Sequence, residues 1–402
     1  MTLKEYFPGI PTVSYEGSYA SHPFSFKFYD PERIVAGKPM REHLRFSLPF
    51  GAAARFGLAG SDYLLATMEL LHKLGVEYYS ASDRDLAAEG GSLRESHARL
   101  DEAADALLYL QEAYNLRPMQ LSVDLRSHPR YSYGAATSYS ADIFAFAAAQ
   151  AKKALETAQR LRALQFCFSG EQERREGFYP SVNDALEADN LARLLHMLGS
   201  FARQIAFAGE LAVRPCAGVA DAYWPDAGQA LAFLRCAGLE ESYRVDLPGG
   251  ASCTDLRALL QADRLGSMYV HSGPGFYAVA APALFELLRC GGLRAGGILL
   301  DMPLHQTCVT PEDYCIGCIM YMDAYAYGLL VAHRVLLDGR VEQFRRERYS
   351  GFAYGVGKAV LENRADLALL ETHALQKGDP QAYTGRAEYL ENVMQGLLCR
   401  GV

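Results

Sequence analysis

Four residues of this chain stand where short apolar runs give way to turns, and their types could do chemistry: Asp85, Arg214, His271 and Asp301. Arginine is a permanent cation that grips a carboxylate or phosphate through paired N–H groups, and carboxylates and imidazole can take up a proton. Together they could form a site anchored on an anion. The plainer reading of the same residues is a neutralised cluster with no metal and no reaction. His305 lies close to the last of these run ends. Cys315 and Cys318 form a C-x-x-C, with Cys308 just upstream. A zinc or redox site would want a second pair, so buried thiols are the expectation. The stretch Gly351 to Lys358 lacks the spacing of a phosphate loop, and Ala359 follows the lysine, which leaves a turn in the tail. Gly273-Pro274-Gly275 reads as an ordinary loop turn.

The elements that must carry these residues are legible as alternation. Short apolar or alternating runs occur at His43 to Phe50, Glu77 to Ser82, Met119 to Leu125, Leu164 to Ser169, Glu210 to Pro215, Tyr243 to Pro248, Ser267 to His271 and Gly297 to Met302. Amphipathic stretches separate them, among them Asp142 to Arg162 and Asn190 to Ala208, where Leu191, Leu194, Leu195 and Leu198 recur at helical spacing. Strands alternating with helices predict a parallel sheet, and eight such units predict an α/β protein closed as a (β/α)₈ TIM barrel. Thr310 to Leu337 is the expected last barrel helix, with a Thr cap, Pro311 at the first helical position and acids in the first turn. The expected organisation is a barrel with an N-terminal extension over residues 1–337 and a C-terminal arm over residues 338–402. Helical pieces are expected in that arm at Phe344 to Tyr349 and Arg386 to Leu398. The arm is too short to own a core, so it is expected to pack on a neighbouring subunit.

Composition sets bounds. The chain has 402 residues, 50% hydrophobic and 21% charged, with 36 Gly and 17 Pro, as in an ordinary folded protein. Thirty-nine Lys and Arg against 47 Asp and Glu give a net charge of −8 without a run of like charge, which argues against a nucleic-acid partner. The first residues show no basic segment followed by an apolar stretch, and no uninterrupted apolar window approaches a membrane span, so a cytoplasmic protein without a membrane partner is expected. Nine scattered Cys suggest reduced thiols. One Trp against 25 Tyr is unusual.

Five long stretches carry a resemblance. Tyr6 to Phe46, Ser127 to Glu156, Asp189 to Met197, Thr310 to Gly328 and Glu347 to Lys358 are together similar to the xylose isomerase family, in the same order and nearly end to end. The resemblance implies a (β/α)₈ barrel with a C-terminal arm, a homodimer or homotetramer, and isomerisation of an aldose to a ketose at two divalent metals such as Mg²⁺ or Mn²⁺. His128 belongs to the second stretch and is expected as a satisfied structural histidine.

Function must be read from the strand ends. After the first strand the family carries Trp-His, where this chain has Gly51-Ala52, and the loop that gives an aromatic residue to a neighbour is missing. After the second strand the family's His-Asp-Arg-Asp becomes Ser82-Asp83-Arg84-Asp85: the ring-opening His is gone, while its orienting Asp survives as Asp85. Gln120 and Ser169 replace two family Trp residues, which explains the single Trp. On the fifth strand a metal-ligating Glu and a catalytic Lys give way to Arg214-Pro215-Cys216. A bridging Glu and a His ligand align with Pro248 and Ala251, Tyr269 replaces a ligand Asp, and Gly273 to Ala280 contains no carboxylate where the family has two. Asp301 alone keeps its ligand position.

One carboxylate beside an arginine does not meet the several oxygen ligands that Mg²⁺ requires. The expectation is a chain that keeps the family fold without its metals, lacks the family reaction, and serves as a scaffold, a regulatory subunit or a ligand-binding protein. Arg214 is expected to fill the vacated metal region and pair with Asp301. The alternatives are a divergent sugar isomerase, acting on xylose or without metal on an anionic sugar held by Arg214, and a subunit that forms mixed oligomers with an active isomerase. A small sugar is the expected ligand class, and a chain that folds but has lost any role is the bland alternative.

Overall fold

The computed structural model describes residues 4–58, 60–171, 173, 184–216, 222–270, 280–294, 296–300, 310–381 and 385–398. Eight parallel strands close into a barrel: β1 (Phe46–Pro49), β2 (Tyr78–Ser82), β3 (Arg117–Ser122), β4 (Gln165–Ser169), β5 (Glu210–Arg214), β6 (Arg244–Leu247), β7 (Leu265–Tyr269) and β8 (Ile298–Leu299). Ile298 stands opposite Phe46 and Leu299 opposite Ser47, which joins the last strand to the first. Helices α1 (Gly60–Lys73), α2 (Leu93–Tyr114), α3 (Ala141–Arg160), α4 (Asp184–Gln204), α5 (Ala227–Cys236), α6 (Cys253–Gln261), α7 (Ala281–Arg289) and α8 (Pro311–Asp338) follow the strands in turn. The eight expected strands and the expected (β/α)₈ closure are all present.

Local chemistry starts the helices. Ser92, Ser140, Asp226 and Ser252 each accept a backbone N–H of the first turn of α2, α3, α5 and α6. Thr310 Oγ1 accepts from Asp313 N–H at 3.2 Å at the start of α8. On α4, Leu191, Leu194, Leu195 and Leu198 are all buried against the strands. By length and composition α8 is apolar enough to cross a membrane, yet 67% of its most apolar window is buried inside the protein. Its place is in the barrel wall.

Two buried carboxylates hold the N-terminal extension by its backbone. Asp323 of α8 accepts the N–H groups of Lys27, Phe28 and Tyr29 at 2.8–2.9 Å. Glu69 of α1 accepts those of Tyr6 and Phe7 at 2.7 and 3.0 Å. These bonds satisfy both the carboxylates and an otherwise irregular segment.

The tail differs from expectation in detail. Its helices are α9 (Arg340–Arg348), α10 (Gly355–Leu361), α11 (Leu367–Lys377) and α12 (Ala387–Leu398). The stretch Gly351 to Lys358, read as a turn, is a 3₁₀ turn running into α10. Helix α12 returns to the barrel through the buried Leu397. Helix α11 buries none of its residues. Cys315 and Cys318 are buried thiols inside α8, as expected, whereas Cys308 lies outside the described residues. His128 is an exposed cap, its Nδ1 accepting from Arg130 N–H at 3.1 Å.

Candidate functional site

The carboxyl ends of the strands surround a cavity of about 280 Å³, lined from β1 by Gly51, from β2 by Ser82 and Asp85, from β3 by Gln120, Ser122 and Asp124, from β4 by Ser169 and Glu171, and by Arg214 and Tyr269 from β5 and β7. This is the face where barrels of this kind place their chemistry.

On the β2 side, Ser82 caps a one-turn helix, Asp83–Leu86. Asp85 Oδ2 accepts from the Ser82 backbone N–H at 2.7 Å and from its hydroxyl at 2.8 Å, so this carboxylate holds the serine. A Cβ placed on Gly51 would lie 3.1 Å from Asp85 Oδ1, so the small residue at the end of β1 keeps that oxygen uncovered. Asp83 turns the other way. It is buried, with Oδ1 accepting from Asp124 N–H at 2.7 Å and Oδ2 from the Gln150 amide at 2.8 Å. Burial pushes its carboxyl up to about 6 against those two hydrogen bonds. Asp124 Oδ1 accepts the N–H groups of Arg126 and Ser127, both at 3.0 Å. Burial works against its charge, but hydrogen bonds from Ser127 and Arg126 hold its carboxyl below the usual range.

The β4–β5 side is cationic. The Arg214 guanidinium lies 4.6 Å over the Tyr269 ring, and its Nη2 is 3.3 Å from Glu171 Oε1. Arg126 pairs with the other oxygen of the same carboxylate, Glu171 Oε2. Burial alone would favour neutral Arg214, but the Tyr269, Cys167, Glu171 and Asp246 groups around it outweigh this and raise its pKa further, so it is a cation at every working pH. Gly170, between Ser169 and Glu171, has no room for a side chain: a Cβ would lie 2.7 Å from Trp224 Cε3. That close approach seats the single tryptophan, buried against Phe168 and Phe233, directly beneath the loop that carries Glu171.

Beneath the cavity the barrel interior is polar. The Tyr269 hydroxyl donates to Gln120 Oε1. Gln120 Nε2 donates to Gln165 Oε1 at 2.6 Å and to Asp246 Oδ2 at 2.8 Å, and Asp246 Oδ1 accepts from Gln165 and from Ser267 N–H at 3.0 and 2.8 Å. All four of these residues are fully or almost fully buried. Burial pushes the Asp246 carboxyl up, offset by its donors and by Arg214. The Cys167 thiol beside it is pushed up strongly by burial and is inert as a nucleophile.

The structure brings together Ser82, Asp85, Gln120, Ser169, Arg214 and Tyr269 of the sequence candidates. Asp83 is buried, and neither it nor Cys216, Pro248 or Ala251 lines the cavity. Cys216 instead donates its backbone N–H to Trp224 O at 2.8 Å. His271, Asp301 and His305 lie outside the described residues, as does the expected Arg214–Asp301 pair. The described ion-pair partner of Arg214 is Glu171, which sequence reasoning missed along with Arg126 and Asp246.

The metals that the resemblance implies would need several oxygen or imidazole ligands at these strand ends. Among the described residues, no group of three or more His, Cys, Asp or Glu could hold an ion. At the ends of β5 and β7 a guanidinium stacks on a phenol ring. A guanidinium in that position repels a divalent metal and donates only N–H groups, so Arg214 itself can coordinate none.

The chain was compared with known proteins. Residues 345–397 match the family model described as the XylA2 C-terminal domain. A xylose isomerase of Geobacillus kaustophilus is 36% identical over 435 aligned positions, covering 98% of this chain and 97% of that protein. A xylose isomerase of Thermotoga maritima is 33% identical, covering 100% and 99%. Among solved structures, a Methylomonas D-allulose 3-epimerase superposes with a TM-score of 0.51 at 14% identity over 72% of this chain and 96% of its own. An Escherichia coli 3-keto-D-glucoside 4-epimerase gives 0.50 at 10% over 69% and 99%. These two share the barrel. With full-length identity above 30% to named relatives, the chain belongs to the xylose isomerase family.

Proposed function

We propose that this family member has given up metal-dependent aldose–ketose isomerisation and uses the retained cavity to bind a small molecule, as a binding or regulatory protein. The observation that carries the reading is Arg214, seated over Tyr269 and paired with Glu171 at the end of β5. The family reaction needs a Lewis acid to polarise the sugar oxygens and a group to open the ring. Here Ser82 stands in the place of the ring-opening histidine, and its hydroxyl is committed to Asp85. Asp83, whose carboxyl burial pushes up to about 6, is buried and does not line the cavity. The tail supports an oligomer, because α11 leaves Leu367 and Leu375 uncovered on a helix that belongs to no core of its own.

The test is direct. The purified full chain is incubated with D-xylose and Mg²⁺, Mn²⁺ or Co²⁺, and D-xylulose is followed against an active relative under the same conditions. The expected rate equals that of the enzyme-free blank. Ketose accumulating in proportion to protein would overturn the proposal and restore a divergent isomerase.

A further inference from the structure

We infer that the cavity at the carboxyl end of the barrel and a larger apolar cavity beside it form one site for a glycoside, with the sugar among the strand ends and an apolar aglycone between the helices. The inference rests on the preceding reading, because it fills the retained cavity with a molecule that is bound rather than isomerised.

The second cavity measures about 560 Å³ and lies between the segment after β1, α1 and the first turns of α2. Leu58, Tyr63, Leu64, Leu86, Ala103 and Ala106 line it, so most of its wall is apolar. Its aromatic side is held in place: the Tyr63 hydroxyl donates to Phe50 O at 3.3 Å, and the two rings meet edge to face with centroids 5.7 Å apart. Besides Asp85, the charged residues along it are Arg84, Arg99 and Glu102. Arg84 lies 3.9 Å from Asp83 and 3.8 Å from Glu89, and Arg99 pairs with Glu95 at 2.6 Å. Arg99 and Glu102 are exposed to solvent. A cavity of this make-up gains from covering apolar surface rather than from binding an ion.

Gly51 and Asp85 line both cavities, so the two meet at this pair. Asp85 Oδ2 is committed to Ser82, whereas Oδ1 has no hydrogen-bond partner among the described residues. Residue 51 must stay small here, since a Cβ would press on Oδ1 at 3.1 Å. An acceptor therefore stands where the cavities join, available to a sugar hydroxyl.

The two halves call for different chemistry. Around the first cavity, Ser82, Ser122, Asp124, Glu171 and Arg214 present hydroxyl, carboxylate and guanidinium groups, and its volume of about 280 Å³ suits a single sugar ring. A free sugar leaves the apolar cavity unused, and a wholly apolar molecule leaves the polar wall unmatched. A glycoside satisfies both. Its anomeric carbon is tied up in an acetal, so binding it calls for no ring-opening group.

The experiment is calorimetric titration of the full chain with the methyl and 4-nitrophenyl glycosides of D-xylose and D-glucose, as both anomers, and with 4-nitrophenol alone. At least one 4-nitrophenyl glycoside is expected to bind tenfold or more tightly than both its methyl counterpart and 4-nitrophenol. Ala106 is exposed on α2, so Ala106→Trp should fold with an unchanged melting temperature and fill the apolar cavity. It should remove the advantage of the aromatic aglycone and leave the methyl glycoside unaffected. The inference is overturned if no glycoside binds, if methyl and 4-nitrophenyl glycosides bind equally, if 4-nitrophenol alone binds as tightly, or if Ala106→Trp keeps the advantage. It is also overturned if Ala106→Trp breaks a native oligomer into monomers, which would mean that a second copy of the chain fills the apolar cavity. Because the aglycone comparison is made on the native protein, the inference stands or falls even if the variant does not fold. Turnover of xylose would sink the proposed function instead, so the two failures are distinguishable.

Discussion

Asp83 is a motif residue with a structural task. It sits in the same short sequence as Asp85, but the one-turn helix points it away from the cavity and into the protein, between Asp124 N–H and Gln150. Its carboxyl is pushed up to about 6, so the folded protein holds this proton more tightly than the unfolded chain, whose value is near 4. The folded state therefore gains from protonation below the unfolded value, and that gain is lost as pH rises through about 6. Asp83→Asn removes this dependence. Relative to the native protein, the variant should gain about 1–3 kcal/mol of stability between pH 4 and pH 7, read from denaturant melts at both pH values. A stability difference independent of pH would show that Asp83 does not titrate in this range. Ser82, Asp85, Gln120, Ser169, Arg214 and Tyr269 were readable as cavity residues because they fall at or just after the ends of the expected strands. Glu171 and Arg126 were not, since 45 residues separate them and only barrel closure brings their loops together. Asp246 was hidden for the same reason: its partner Gln120 is 126 residues away.

At the scale of elements, the strands were legible because each is a short apolar run ended by turn residues, and α8 because its cap is written in Thr310 and Pro311. Helices α10 and α11 were not. Gly355 and Gly357 lower the helix propensity of α10, and α11 has no buried face to impose a periodicity. Leu367 and Leu375 of α11 are 85% and 78% exposed, at a spacing that puts them near one face. Apolar side chains so placed on an arm fit burial against a second copy of the chain. Sedimentation of the native protein should give a dimer or larger, and Leu367→Glu with Leu375→Glu should shift it towards monomer. A native monomer at micromolar concentration would contradict this use of the arm.

For the whole molecule, the proposed function separates fold from chemistry. The barrel, its caps and the clipped extension depend on buried contacts that tolerate a changed pocket, while the metal chemistry depended on a handful of side chains at one rim. In the proposed reading, a rim carrying the half-buried Arg214 cation stands in their place. The measurement that bears most directly on this is calorimetric titration of the chelator-treated protein with Mg²⁺, Mn²⁺ and Co²⁺, paired with melting temperature with and without each ion. No saturable heat and no rise in melting temperature are predicted. Stoichiometric binding that stabilises the fold would mean that a metal site persists beside Arg214, and it would contradict the account at its centre.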